Sequence, residues 1–343
     1  MDCHAIIVVG ASAGGLEALE ALIGGLPRDL PAVVCVVLHI GSRHSEAPKI
    51  LAKAGVLPVA HPADGEAIRC GRIYVAPPDH HLLVEPGRLR LSRGPRENGT
   101  RPAADPLFRS AAEAYGSRVI GVVLSGNLND GTAGCSAVKR RGGTTVVQDP
   151  ADASFPGMPR SALCNVAIDH RARAFDMGPL LARLVHALSP RSTPAPVPRR
   201  AGRPHAAKED ASMEGDYELN PPVSLTCPEC GGSLRESTMD SMPYFTCHIG
   251  HRYGADSMDE AQFQMMEQAF EAAVRTLNER AALCLRLAEA ARANGRALSA
   301  LRWDEAGGEA RERAQTLVQF LTNDWIRPSP NAEEDEEPGR AAG

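Results

Sequence analysis

Three short runs of the chain are apolar at nearly every position: residues 4–9 (HAIIVV), 33–38 (VVCVVL) and 118–124 (RVIGVVL). They are rich in β-branched side chains and do not alternate with polar ones. That pattern belongs to strands buried on both faces, as in a parallel sheet. Between the first two lies GGLEALEALIGGL, where Leu16, Leu19, Leu22, Ile23 and Leu26 recur at helical spacing. The three segments together predict a strand–helix–strand unit. Further strands are expected at 72–76, 82–84 and 144–147, and helices at 45–54, 106–116, 132–141 and 176–188. Alternation of this kind across residues 1–188 predicts an α/β domain, doubly wound in three αβα layers around a mainly parallel sheet.

The pattern then changes. Residues 189–222 are rich in proline and arginine with little to bury, which predicts a flexible linker. A small cysteine-bearing module is expected at 223–254 and a helical segment at 255–325. The helical segment reads as a pair, broken near Asn294-Gly295 or near Gly307-Gly308. Phe263, Met266, Phe270, Val274, Leu277, Ala281 and Cys284 recur at threes and fours, an amphipathic stripe. It suits either packing on a partner helix around Leu317, Phe320 and Leu321 or a docking surface. Residues 326–343 form an acidic tail with the composition of a disordered segment.

Composition narrows the class. Hydrophobic residues make up 43% and charged ones 23%, the mixture of a soluble globular protein. No apolar run reaches the roughly 18 residues a membrane span needs, so membrane insertion is not expected. The start of the chain lacks a basic stretch and a cleavage signal, so no secretory peptide is expected. Nine cysteines, only three of them clustered, fit a reduced cytoplasmic setting. Residues 1–188 carry 20 basic against 17 acidic side chains, and residues 213–343 carry 12 against 23. So acidic a second half argues against a nucleic-acid partner.

The first strand runs into Gly10-Ala11-Ser12-Ala13-Gly14-Gly15. This is either a dinucleotide loop lacking its middle glycine or a sharp turn that lifts a serine hydroxyl above the sheet. A dinucleotide site wants a carboxylate near the end of the second strand. The chain has His39 there instead. Adjacent parallel strands bring their carboxyl ends side by side, which makes Ser12 and His39 a candidate nucleophile and base. Asp130, in SGNLNDG after the 118–124 strand, would alone read as a helix cap or turn residue. Beside the other two it completes a candidate Ser–His–Asp set. Downstream, Cys227-Pro-Glu-Cys230 is followed by Cys247 and His251, a spacing suited to tetrahedral structural zinc. His248 is the alternative fourth ligand.

The run of motifs from GASAGG through VLHIG, DGEAIRCGRIYVAPPDHHLLV, RPAADPLFRSAAEAYG and GVVLSGNLNDGTAG to QDPADASFPGMPRSAL resembles the catalytic domain of the CheB family, the chemotaxis protein-glutamate methylesterases. The likeness covers about residues 4–188. It implies Ser12, His39 and Asp130 as a triad that hydrolyses glutamate methyl esters on chemoreceptors, with methanol released and no catalytic cofactor. It also implies methylated receptor helices as partners, a receptor methyltransferase in the same pathway, and possible deamidation of glutamine. Backbone N–H groups of Ala13, by position, and Asn127, by the resemblance, are the candidate oxyanion donors.

Three departures accompany the likeness, one of them the segment after His39, IGSRHSEAPKIL, where the family usually has a proline- and phenylalanine-containing loop. Where the family usually has Thr-Gly-Met-Gly, this chain has Ser125-Gly126-Asn127-Leu128, so a leucine replaces a glycine beside the site. Typical members begin with a receiver domain, whereas here the first strand starts at about residue 4. The expectation is a stand-alone form with a zinc-ribbon-like and helical extension. The competing function is a catalytically weak CheB-like scaffold that recruits partners through its zinc-helix half. His80 and His81 are expected to be structural or substrate-lining.

Overall fold

The computed structural model describes residues 3–39, 45–188, 225–239, 242–323 and 325. The predicted linker 189–222 and tail 326–343 lie outside them. Two compact units emerge, Met1–Ser257 and Met258–Gly343.

In chain order, the first unit runs β1 (Ala5–Ala11), α1 (Gly15–Gly24), β2 (Ala32–Leu38), α2 (Ala47–Ala54), β3 (Val59–Ala60), β4 (Arg72–Val75), β5 (His81–Glu85) and β6 (Arg88–Ser92). It continues with α3 (Ala104–Tyr115), β7 (Val119–Val123), α4 (Thr132–Arg140), β8 (Thr144–Gln148), α5 (Gly157–Asn165), β9 (His170–Ala172) and α6 (Ala174–Ala187). After these come β10 (Leu234–Met239), β11 (Met242–Cys247) and β12 (Arg252–Gly254). Helix α7 (Ala255–Ala293) begins at its end, and α8 (Ala297–Thr322) completes the second unit.

Seven strands form one sheet in the order β3-β4-β2-β1-β7-β8-β9, and every pairing is parallel. Alternate residues of β1 enter opposite cores, Ile7 and Val9 on one face and Ile6 and Val8 on the other. Helices α1, α2 and α6 cover the first face, and α3, α4 and α5 the second. Burial on both faces is why the strand sequences are almost wholly apolar. The strand order reverses between β1 and β7, and such a switch point opens a crevice at the carboxyl ends of the strands.

Strands β3, β6 and β9 and helix α5 were not expected from the pattern. β3 and β9 are three residues or fewer, too short to show a period. β5 and β6 form a separate antiparallel hairpin. Cys3 and Cys70 form a disulfide with a Cα–Cα distance of 5.4 Å, which departs from the reduced state expected of the cysteines.

In the second unit the helix pair breaks at Asn294-Gly295, and Gly307 lies inside α8, buried within 3.2 Å (measured to an added Cβ) of Cys284 Cβ. Phe270 stacks on Phe320 at 6.4 Å, and Phe263 meets Trp325 edge-on at 6.1 Å. The stripe is therefore used in packing between the two helices. Among the described residues no helix is long and apolar enough to cross a membrane.

Helices α1 and α6 touch through backbone: a Cβ at Gly178 would come within 2.4 Å of the Gly25 carbonyl carbon. Alanine favours a helix by about 1 kcal/mol over glycine, but backbone cannot yield as a side chain does, so overpacking wins. Gly178→Ala should destabilise the protein by about 1–3 kcal/mol, read as a lower midpoint in thermal or urea unfolding. An unchanged or raised midpoint would show that the two helices separate at little cost.

Candidate active site

Backbone hydrogen bonds carry the strand register past the strand ends. His39 N–H donates to Ala11 O at 3.0 Å, Leu124 N–H to Gly10 O at 2.9 Å, and Ser12 N–H to Ser125 O at 2.9 Å. The residues directly after β1, β2 and β7 thus leave the sheet side by side at the switch point. Ser12 follows β1, His39 follows β2, and Asp130 lies between β7 and α4.

His39 Nε2 and Asp130 Oδ2 are 2.9 Å apart. Asp130 is 2% exposed, and its carboxylate is surrounded by donors. Ala104 N–H reaches Oδ2 at 2.6 Å, and Asp105 N–H and Asn98 Nδ2 reach Oδ1 at 3.2 and 2.9 Å. Two of these donors are the first N–H groups of α3, so the positive end of that helix faces the carboxylate. Burial alone would raise the Asp130 pKa. The hydrogen bond and charge of His39, with the Ala104 and Asn98 donors, hold it below the usual carboxylate value.

The expected cap role of Asp130 is realised, but on α3 rather than on the helix that follows it. Asp105 returns the arrangement: its Oδ1 accepts Gly131 N–H at 3.0 Å and Gly134 N–H at 2.7 Å, at the start of α4. Each aspartate thus binds the opening turn of the other's helix, and Asn98 Nδ2 bridges both, reaching Asp105 Oδ2 at 2.9 Å. Burial and the neighbouring Asp130 charge push the Asp105 carboxyl well up. The two carboxyls are thus shifted in opposite directions, and the one that faces His39 is the one held low.

Neither Asp105, within RPAADPLF, nor Asn98 is marked as a site residue by the sequence. Nothing in the one-dimensional pattern marks an asparagine in a loop as a partner of two distant carboxylates. His81 proves structural: it is buried, Nε2 donates to Pro95 O at 2.9 Å, and Nδ1 accepts Ala103 N–H at 3.3 Å. Desolvation lowers its pKa, which favours the neutral ring.

Among the described residues, the Ser12 hydroxyl and the backbone N–H groups of Ala13 and Asn127 have no protein partner. Leu128, in the position where the resemblance leads one to expect glycine, adopts φ 63° and is 36% exposed.

Cys227, Cys230, Cys247 and His251 converge, their ligand atoms all within 4.8 Å of one another. Cys230 and Cys247 Sγ are 3.7 Å apart, and His251 Nδ1 lies 3.6 and 3.5 Å from the sulfurs of Cys227 and Cys247. Zn–S and Zn–N bonds of about 2.3 and 2.0 Å give tetrahedral edges of about 3.5–3.8 Å, so the donor set fits zinc. His248 is exposed and is not part of this cluster.

A serine, a histidine bonded to a buried aspartate, and unpaired N–H groups at a switch-point crevice define the equipment of a serine hydrolase. The family is set by comparison. The profile of the CheB methylesterase family matches residues 7–181, and the chain belongs to that family. A Leptospira interrogans protein named putative protein-glutamate methylesterase/protein-glutamine glutaminase is 40% identical over 166 residues, 48% of this chain and 86% of that one. Protein-glutamate methylesterase FrzG of Myxococcus xanthus is 37% identical over 162 residues, 47% of this chain and 48% of that one. The crystal structure of the Thermotoga maritima CheB methylesterase catalytic domain matches with a TM-score of 0.51 and 34% identity, covering 52% of this chain and 98% of that one.

A non-glycine residue at positive φ costs about 1–2 kcal/mol. Leu128→Gly should therefore stabilise the folded protein by about 1 kcal/mol, less the added flexibility of the unfolded chain. Urea unfolding with an unchanged slope and a higher midpoint is the expected result. A lower midpoint would mean that the leucine side chain stabilises the loop more than its backbone strains it.

Proposed function

We propose that the chain is a serine esterase that hydrolyses glutamate γ-methyl esters on chemoreceptor-type proteins, with Ser12, His39 and Asp130 as its triad. The observation that carries this reading is the bond between half-buried His39 and buried Asp130 at the switch point, beside the Ser12 turn. With Nε2 bonded to Asp130, Nδ1 is the nitrogen that takes the Ser12 proton. Oγ then attacks the γ-carbonyl, and the Ala13 and Asn127 N–H groups hold the oxyanion. Collapse of the tetrahedral intermediate breaks the bond to methoxide, which leaves as methanol with the proton from His39. Water, deprotonated by the same imidazole, hydrolyses the acyl-enzyme and restores Ser12 and a free glutamate.

Relatives named protein-glutamine glutaminase support deamidation as a second activity, because an amide passes through the same acyl-enzyme. No cofactor takes part in any of these steps. Substrate methyl esters imply a receptor methyltransferase acting before this enzyme, and the setting is the cytoplasm. Cys227, Cys230, Cys247 and His251 hold a structural zinc that fixes the 225–254 fold.

The test is methanol release from a helical receptor fragment carrying glutamate γ-methyl esters. Ser12→Ala and His39→Ala should lose about 10³-fold or more in kcat, and Asp130→Asn should keep a small residue. A Ser12→Ala protein within about tenfold of wild type would contradict the triad. Metal analysis should give one zinc per chain, lost in Cys227→Ser and Cys247→Ser. Zinc-free protein purified without chelator would refute the metal site.

A further inference from the structure

The cysteine module is not a detached appendage of the first unit. Strand β12 pairs in parallel with the loop before α3 through Glu97 and Arg252. Asn98 N–H donates to Arg252 O at 2.7 Å, and Arg252 N–H to Arg96 O at 3.3 Å. Glu97 is 7% exposed and accepts from Arg109 at 2.6 Å, Arg252 at 3.3 Å and the Tyr244 hydroxyl at 3.5 Å.

One contact matters most. Gly254 N–H donates to Asn98 Oδ1 at 3.0 Å. An amide side chain has one accepting and one donating end. Because the module occupies the accepting end, the donating end is turned onto Asp130 Oδ1 and Asp105 Oδ2, both 2.9 Å away. Asn98 holds this pose with its backbone at φ 52°, which asparagine tolerates better than most residues. The Ser257 hydroxyl donates to Asn129 Oδ1 at 2.6 Å, one residue before Asp130. The candidate ligand His251 directly precedes Arg252. A continuous path therefore joins the four metal-binding side chains to His39 through Arg252, Gly254, Asn98 and Asp130.

We propose that the cysteine module is a brace for the triad aspartate: Asn98 is a positioning residue, held by β12, and the filled metal site keeps that brace in place. This rests on the esterase reading given above. Released from β12, Asn98 would lose both its backbone acceptor and the donor that fixes its amide. Asp130 would keep the α3 N–H groups but lose the partner that sets the orientation of Oδ1. A carboxylate out of line with His39 affects the chemical step rather than substrate binding, so the effect belongs in kcat and not in KM.

The experiment measures methanol release by the full chain on the receptor fragment described above, with Ser12→Ala as the control for the esterase reading. It compares wild type, Asn98→Ala and Gly254→Ala, zinc-loaded and zinc-stripped, with zinc content measured for each. Gly254→Ala leaves the ligands untouched, but its Cβ would fall 2.0 Å from Nδ2 and 3.0 Å from Cγ of the buried Asn129 side chain, so either that amide, with its Ser257 bond, or β12 must shift. Stripping zinc from wild type should lower kcat about tenfold to a hundredfold with KM nearly constant, the scale set by small misplacements in an active site. Asn98→Ala should show a similar loss while zinc-loaded, and stripping should then add less than about twofold, since both changes break one path.

Zinc-loaded Gly254→Ala should also lose kcat, which keeps the test decisive if stripped protein unfolds. The low-field proton signal of the His39–Asp130 hydrogen bond should be present in loaded wild type and weakened in both variants. Full kcat in zinc-loaded Gly254→Ala, or independent losses from stripping and Asn98→Ala, would overturn the brace. Activity in Ser12→Ala would instead refute the esterase reading.

Discussion

A single buried carboxylate organises this site. Taking an ionised carboxylate out of water costs on the order of several kcal/mol. Asp130 is nearly inaccessible and yet held in its charged form. Four donors offset that cost: His39, two N–H groups of α3, and Asn98. Hydrogen bonds to a charged group contribute about 1.5–3 kcal/mol each, so losing one leaves the rest to hold a charge they no longer balance. The surrounding architecture follows from keeping these donors in place.

The parallel sheet supplies the first of them. Its reversal between β1 and β7 leaves a crevice, and hydrogen bonds beyond the strand ends hold Ser12, His39 and Leu124 in register around it. The exchange between Asp130 and Asp105 joins α3 to α4, so packing of the second core and geometry of the site depend on the same bonds. The fourth donor comes from a loop seated on the cysteine module. A segment that could be read as a separate attachment thereby enters the interior of the first unit.

Most of the sheet was legible in the sequence because its central strands are buried on both faces and read as unbroken apolar runs. Ser12 and His39 were legible for a related reason: each follows such a run, and topology brings strand ends together. Asp130 pairs with His39, but local sequence made it a cap for its own helix, whereas it accepts from the first N–H groups of α3. Asn98, Asp105 and the docking of Gly254 were not legible, because they depend on contacts between segments up to 156 residues apart. The convergence of Cys227, Cys230, Cys247 and His251 was legible from spacing alone, since the four side chains come from two short turns. Gly307-Gly308 looked like a possible helix break, but Gly307 is in close contact with Cys284 within the helix pair.

The most direct test of the account is to catch the acyl-enzyme. Full-length protein is mixed with a receptor peptide carrying one glutamate γ-methyl ester, quenched in acid within milliseconds, and digested for mass spectrometry. The account predicts a mass increase of the peptide less one methanol on the fragment containing Ser12, with the linkage at its hydroxyl. Methanol release with no adduct at Ser12, or with the adduct on another side chain, would contradict it.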